Sequence, residues 1–282
     1  MTLGGSASES AARAWSRAAR ARARAADCEE AAARQELLAE RTGREIHRET
    51  AAGLRRMAGC HRSAARIHES FARRMVGWSE KDGDRPLFMT GVAEACGARS
   101  AALTLIGADQ SQLAVAASDQ PSRAAQELEF LLGEGPAIEA TRVLRPVYAT
   151  GAAVGRRWPE YAAGLAALGL TSVAALPLQS TESCIGALAV FDAHPGLLTS
   201  PVFIGVADAL TSTVLLSPDP EPDLYGDTDH RAAVHQAAGM VSVQARCSVP
   251  DALDLIKARA FADGQSTQEV AARVVGGEIT LT

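Results

Sequence analysis

The chain has 282 residues, room for two small globular domains or one with extensions; 58 of them are Ala and only 4% are aromatic, so its cores must be built from small aliphatic side chains. The net charge of −5 hides a split: residues 1–80 hold 15 Arg and 10 acids for a net of +5, residues 81–282 a net of −10, and neither half is basic enough to name a nucleic-acid binder by charge alone. No apolar run approaches the ~18 residues that span a bilayer, and the start lacks the charged-then-apolar layout of a signal peptide, so a cytoplasmic protein without membrane contact is expected.

From about Ala7 to Trp78 there is no Pro, and Ala, Arg and Glu dominate, which predicts helix. Ala11 to Ala33 has almost no large apolar side chain and reads as a polar or fraying helix. Further on, the heptad row His47, Leu54, His61, His68, Met75 and its companion Thr50, Met57, Ala64, Phe71, Trp78 form a mediocre coiled-coil seam. That seam fits either a dimer or packing in cis, and a break near Thr42-Gly43 would make a helical hairpin.

After Asp82-Gly-Asp-Arg-Pro86 the texture changes. A helix is predicted over residues 86–97, then a hairpin of Ser100–Ile106 and Gln112–Ala117, helices over Ser122–Leu132 and Ala137–Arg142, a short strand at Arg145–Tyr148, and a helix from Trp158 to Gly169. Two buried-looking strands, Ser172–Leu178 and Cys184–Phe191, precede a helix over Thr199–Leu216. The order describes an α+β fold, an antiparallel sheet with covering helices. Residues 217–229 hold three Pro and five acids and are expected to be an extended, solvated linker. Three helices then form a compact C-terminal bundle, with capping boxes at Ser248-x-x-Asp251 and Ser266-x-x-Glu269 and stops at Gly264 and Gly276-Gly277.

No catalytic constellation emerges, and no enzyme is expected. There is no glycine-rich phosphate loop, nucleophile elbow or metal-ligand spacing, and Glu134 and Glu160 are carboxylates in turns. Cys28, Cys60, Cys96, Cys184 and Cys247 contain no C-x-x-C pair and are expected to be small hydrophobes, neither disulfides nor zinc ligands. His194, in a turn composition, is expected on a surface loop.

Residues 86–216 resemble a GAF domain of the actinobacterial kind, through Leu128-Glu-Phe-Leu-Leu-Gly-Glu-Gly-Pro136, Arg157-Trp-Pro-Glu-Tyr161, Ala175-Leu-Pro-Leu178 and Ile185-Gly-Ala-Leu-Ala-Val-Phe191. The resemblance implies a small-molecule pocket between sheet and helices, for which Leu103, Leu105, Leu176, Leu188 and Val190 are the candidate lining, but leaves open the ligand, any cofactor and whether the domain binds a ligand at all. The C-terminal segment resembles an ANTAR domain, through Val234-His-Gln-Ala-Ala-Gly-Met-Val241, Ser248-Val-Pro-Asp-Ala-Leu253, Ala258-Arg-Ala-Phe261 and Glu269-Val-Ala-Ala-Arg-Val-Val275. That family implies a homodimer that binds paired RNA hairpins in nascent mRNA and prevents a terminator from forming, with no DNA target.

On this reading residues 1–80 are a helical arm, 81–216 the sensor, 217–229 the linker and 230–282 the RNA-binding bundle. An RNA reader needs cations for phosphates and flat or polar groups for bases, and the candidates are Arg231, His235, Gln236, Lys257, Arg259 and Arg273. Against them the bundle has net charge −2, and Ala238 stands where many family members carry Lys. Phe261 is expected in the bundle core. The rival expectation is a signalling scaffold that has lost RNA binding and meets a protein partner through residues 7–78.

Overall fold

The computed structural model describes residues 7–78, 84–180, 183–193, 196–216, 218–219, 221–225 and 229–281, so His194 lies outside the described residues. The fold is mixed α+β, as expected from the order of elements. Helices α1 (Ala7–Thr42) and α2 (Glu45–Gly77) form a hairpin that turns at Gly43. The first helix is neither frayed nor seamless. Ala11, Ala14, Ala18, Ala21, Ala25, Ala32 and Ala39 are buried at alternating three- and four-residue steps, completed by seven-residue steps. On α2, Ala51, Ala58, Ala65 and Ala72 repeat every seven residues and are buried as well. Side chains this small let two helices approach closely, which is how a stretch without large apolar residues still packs.

Of the seam expected from the larger residues only the C-terminal half is buried, and it packs in cis. Met57 is exposed and Leu54 and His61 are only half buried, while Ala64, Ile67, Phe71 and Met75 pack on the next domain in cis. Helix α3 (Phe88–Cys96) crosses this face, and Gly91 makes the crossing possible: a Cβ there would lie 2.8 Å from Phe71 Cβ and 2.9 Å from the Ile67 carbonyl oxygen.

The central sheet is antiparallel, in the order β3-β4-β5-β1-β2-β6, with β1 Ser100–Ile106, β2 Gln112–Ala117, β3 Val147–Thr150, β4 Ser172–Gln179, β5 Cys184–Phe191 and a two-residue β6, Asp229–His230. Strand alternation divides its side chains between two cores. Leu103, Leu176, Leu188 and Val190 face α2, α3 and α8 (Pro201–Ala209), among Phe71, Phe88, Met89, Val92 and Phe203. Ala102, Val173, Ala175, Ala189 and Phe191 face the opposite way, toward α4 (Gln120–Leu132), α5 (Pro136–Val143), α6 (Ala152–Arg157) and α7 (Pro159–Ala167). Helix α6 was not expected from the sequence. The helix expected over Thr199–Leu216 is a 3-10 turn at Leu197–Thr199, then α8, then a π-helical turn at Leu210–Leu215.

The acidic linker is not extended and solvated where it is described. It forms a short helix, α9 (Pro222–Tyr225), with Glu221, Asp223 and Leu224 buried. Asp223 Oδ1 accepts from Ser10 Oγ at 2.9 Å and from Arg85 Nη2 at 2.7 Å, and Asp223 Oδ2 from Arg13 Nη2 at 3.2 Å. Arg17 reaches Asp219 at 3.1 Å and Glu221 at 3.4 Å. The +5 arm thus supplies the countercharge that lets an acidic segment leave water. Beside it, burial pushes the Glu221 carboxyl up to about 7, and burial next to Arg17 and Arg20 brings His68 down to about 4, so that at pH 7 His68 is neutral and Glu221 about half ionised where the two meet at 3.4 Å.

The C-terminal bundle comprises α10 (Ala232–Gln244), α11 (Val249–Asp263) and α12 (Thr267–Val275), and both expected capping boxes form, Ser248 with Asp251 and Ser266 with Glu269. Ala238 is fully buried in the bundle core, on an inward face of α10. Phe261 is not in the core: it is 72% exposed, one of several α11 residues beside the C-terminal end of α4.

Candidate functional site

The bundle is docked on the central domain, and the seam is built around one guanidinium. β6 pairs with β2, and the Arg231 N–H continues the ladder by donating to the Leu113 carbonyl at 2.8 Å, which delivers the Arg231 side chain into the gap between domains. It is 1% exposed. Its Nε donates to Gln112 Oε1 at 3.0 Å, Nη1 to Thr267 Oγ1 at 3.2 Å and Nη2 to Glu127 Oε2 at 2.5 Å. The guanidinium carbon lies over the Phe130 ring, 4.7 Å from its centroid, a cation–π contact beside the hydrogen bonds.

Glu127 closes the arrangement. Its Oε1 accepts from both the backbone N–H and the hydroxyl of Thr267, at 2.9 and 2.6 Å, so the carboxylate sits on the N-terminus of α12. Burial opposes its ionisation, but the Arg231 charge and the Thr267 hydrogen bonds outweigh that and hold the carboxyl below its usual range. A buried pair of this kind contributes little net stability, yet removing one partner strands a charge and costs about 3–5 kcal/mol.

Three of the six residues expected to touch RNA lie on this seam. Besides Arg231, His235 Nε2 is 3.0 Å from the Gln112 carbonyl oxygen and must carry the proton, because a carbonyl only accepts. Lys257 Nζ is 4.7 Å from the Phe130 ring centroid, half buried, with Asp254 at 3.8 Å, and desolvation lowers its pKa. Arg259 and Arg273 are drawn to Asp263, at 2.7 and 3.6 Å, and Arg273 also donates to Gln265 at 2.8 Å. Gln236 is exposed. The six therefore do not form one open basic face. Sequence reading missed the partners Glu127, Gln112 and Phe130, whose only local signal was an acid, an amide and an aromatic on elements already assigned to another domain.

Above the seam lies a cavity of about 480 Å³. Its walls come from β1 (Thr104, Ile106), the start of β2 (Gln112), α4 (Phe130), α5 (Ile138, Arg142) and, from the bundle, Leu253 and Lys257 of α11. The lining expected from the sequence is on the other side of the sheet. Leu103, Leu176, Leu188 and Val190 are buried in the core beneath α2, α3 and α8, with Leu105 packed against it, and none of the five lines this cavity. The reason is parity: Thr104 and Ile106 project opposite to Leu103 and Leu105. The large apolar residues mark the face that is filled, not the one left open.

The motifs that carried the first resemblance prove to be internal fastenings of this side of the sheet. Glu134 Oε1 accepts from the backbone N–H groups of Glu160 and Tyr161, at 2.8 and 3.0 Å, and so caps α7. Trp158 Nε1 donates to Glu139 at 2.9 Å. Glu129 is buried, with Oε2 accepting from the N–H groups of Ala137 and Ile138, at 2.9 and 3.1 Å, and Oε1 from Gln126 Nε2 at 2.9 Å. Gln126 in turn accepts from the Thr104 hydroxyl on the cavity wall. Burial outweighs these donors and pushes the Glu129 carboxyl up to about 8. Gly135, at φ +153°, makes room, because a Cβ there would lie 2.3 Å from Glu129 Cγ.

Among the described residues no three His, Cys, Asp or Glu side chains converge on a point that could hold a metal ion, and no helix is long and apolar enough to cross a membrane. No family model matches the chain, and no curated protein matches it. Among solved structures, a domain of a two-component sensor histidine kinase protein from Sinorhizobium meliloti 1021 is similar at 15% sequence identity and a TM-score of 0.33, over 44% of this chain and 83% of that one.

Proposed function

We propose that this chain is a cytoplasmic regulator and not an enzyme: its central domain, GAF-like in its motifs, senses a signal and controls an ANTAR-like bundle that, as a dimer, binds RNA hairpins in nascent mRNA and prevents transcription termination. The observation that carries this reading is the competition at the seam. Arg231, His235 and Lys257, three of the groups such a bundle would turn to RNA, are engaged by Gln112, Glu127 and Phe130 of the central domain. The docked arrangement is then the silent state, and undocking frees the cations that phosphates need. Tethering two freed bundles would make the second hairpin contact intramolecular, a gain of roughly 10²–10⁴-fold.

The test is a gel shift with an RNA carrying two hairpins, comparing the wild-type chain with Glu127→Gln. The variant is expected to bind more tightly, and Arg259→Glu in its background to weaken that binding. Absence of RNA binding by both the wild type and Glu127→Gln would overturn the reading. The second reading, a scaffold for a protein partner, draws on Leu37, Leu38 and Ile46, exposed apolar residues flanking the turn of the arm hairpin. A partner lost on Leu37→Glu together with Ile46→Glu, in a chain that ignores RNA, would favour it.

A further inference from the structure

We propose that the cavity between sheet, α5 and α11 binds a small organic anion, a carboxylate on an apolar body, and that the bound anion holds the C-terminal bundle docked. This rests on the sensing reading above and adds the ligand's chemical class and the direction of its effect.

The class follows from the walls. The cavity is lined by two charged side chains, Arg142 and Lys257, both cationic, and by no acid. Arg142 makes no hydrogen bond or ion pair among the described residues, and Lys257, which lies over the Phe130 ring, has only one ion-pair partner among them, Asp254 at 3.8 Å. A third donor is fixed by the seam. Because Gln112 Oε1 accepts from Arg231, which can only donate, the Gln112 amide is oriented with its NH₂ group away from the guanidinium, and that group donates to no described residue. The rest of the surface is largely apolar, with Ile106 and Ile138 from the central domain facing Leu253 from the bundle. Convergent donors on a mainly apolar wall suit a ligand with one anionic end.

The direction follows from which domain supplies each wall. Leu253 and Lys257 belong to the bundle, and Arg142, Gln112, Ile106 and Ile138 to the central domain, so the complete site exists only while the two are docked. A ligand that needs both walls binds the docked state preferentially, and by linkage it stabilises that state by an amount that grows with the logarithm of ligand concentration above its Kd. The anion would thus act as a signal for silence, with its loss permitting release.

The probe is sodium octanoate, titrated calorimetrically into the full-length chain with octan-1-ol as the uncharged control. Saturable 1:1 binding of octanoate is expected, with octan-1-ol at least about tenfold weaker, since a charge-assisted contact is worth about an order of magnitude in affinity. Arg142→Gln and Lys257→Gln should each weaken octanoate about tenfold, and Ile138→Trp, which fills the cavity, should abolish binding while circular dichroism stays native. Hydrogen exchange of α11 should slow when octanoate is present. No octanoate binding, equal binding of the alcohol, or affinity untouched by both charge variants would overturn the site. Unchanged α11 exchange at saturation would overturn the holding role. None of these readouts involves RNA, so the site can fail while the RNA reading stands, and the reverse.

Discussion

Arg231 and Glu127, 104 positions apart in sequence, meet at 2.5 Å across the boundary between the bundle and the central domain, and Thr267 ties both to the start of α12. One guanidinium thereby engages β2, α4 and α12 at once, which makes the pair a latch on domain docking.

Breaking the latch from one side should be far worse than breaking both. Glu127→Ala leaves the Arg231 charge buried without its carboxylate, a cost of about 3–5 kcal/mol for the docked state. Undocking relieves that cost. Limited proteolysis should therefore cut residues 217–231 faster in Glu127→Ala than in the wild type. The double variant Glu127→Ala/Arg231→Met should be cut more slowly than the single. Equal cleavage of wild type and Glu127→Ala would show that the pair does not govern docking.

Glu129 gives the fold a pH dependence of definite sign. Its folded pKa of about 8 lies above the ordinary 4.5, so its contribution to stability is fully present below about pH 4.5 and is lost as pH rises through about 8. Near neutral pH the slope approaches about 1.4 kcal/mol per pH unit. In Glu129→Gln the side-chain oxygen can still accept from Ala137 and Ile138, and its NH₂ can donate to Gln126 once that amide turns over. The variant should melt higher than the wild type at pH 8.5 and lose this part of the pH slope between pH 6 and 8.5, as read by urea midpoints at fixed pH. A parallel pH profile in the variant would refute the assignment.

The arm depends on side chains that are small rather than merely apolar. Ala58→Leu, at a buried step of the α2 seam, should overpack the hairpin and cost about 1–3 kcal/mol, whereas Ala52→Leu, at an exposed position one residue from the seam, should change little. Urea denaturation followed by helical circular dichroism separates the two, and equal effects would show that the alanine seam does not set the helix spacing.

Asp223 fastens the linker to the arm through Ser10 and Arg13 and to the start of the central domain through Arg85. Asp223→Ala leaves two arginines facing each other without their carboxylate, and hydrogen exchange around Leu224 and along the first turns of α1 should accelerate markedly. Protection unchanged in both segments would show that the linker is held by other means.

The amino-acid sequence by itself determined the local structure and much of its punctuation. Period and composition marked the long helical arm, five of the six sheet strands and the three bundle helices, because helix caps and strand alternation act over a few neighbouring residues; Ser248-x-x-Asp251 and Ser266-x-x-Glu269 close their boxes as read. The alanine seam is present in the sequence as well, at steps of three, four and seven, although alanines also occupy exposed positions of both helices. Only the tertiary structure decided which side of the sheet stays open, since Leu103 and Thr104 are neighbours in sequence and the choice depends on which helices arrive to cover each face. It also decided the fate of charge. An acidic linker is solvated unless an Arg-rich arm folds back on it, and Arg231 is a surface cation unless Glu127 and Phe130 are brought to it from a hundred residues away. Coulombic and desolvation energies depend on distance in space, which the order of residues along the chain does not specify.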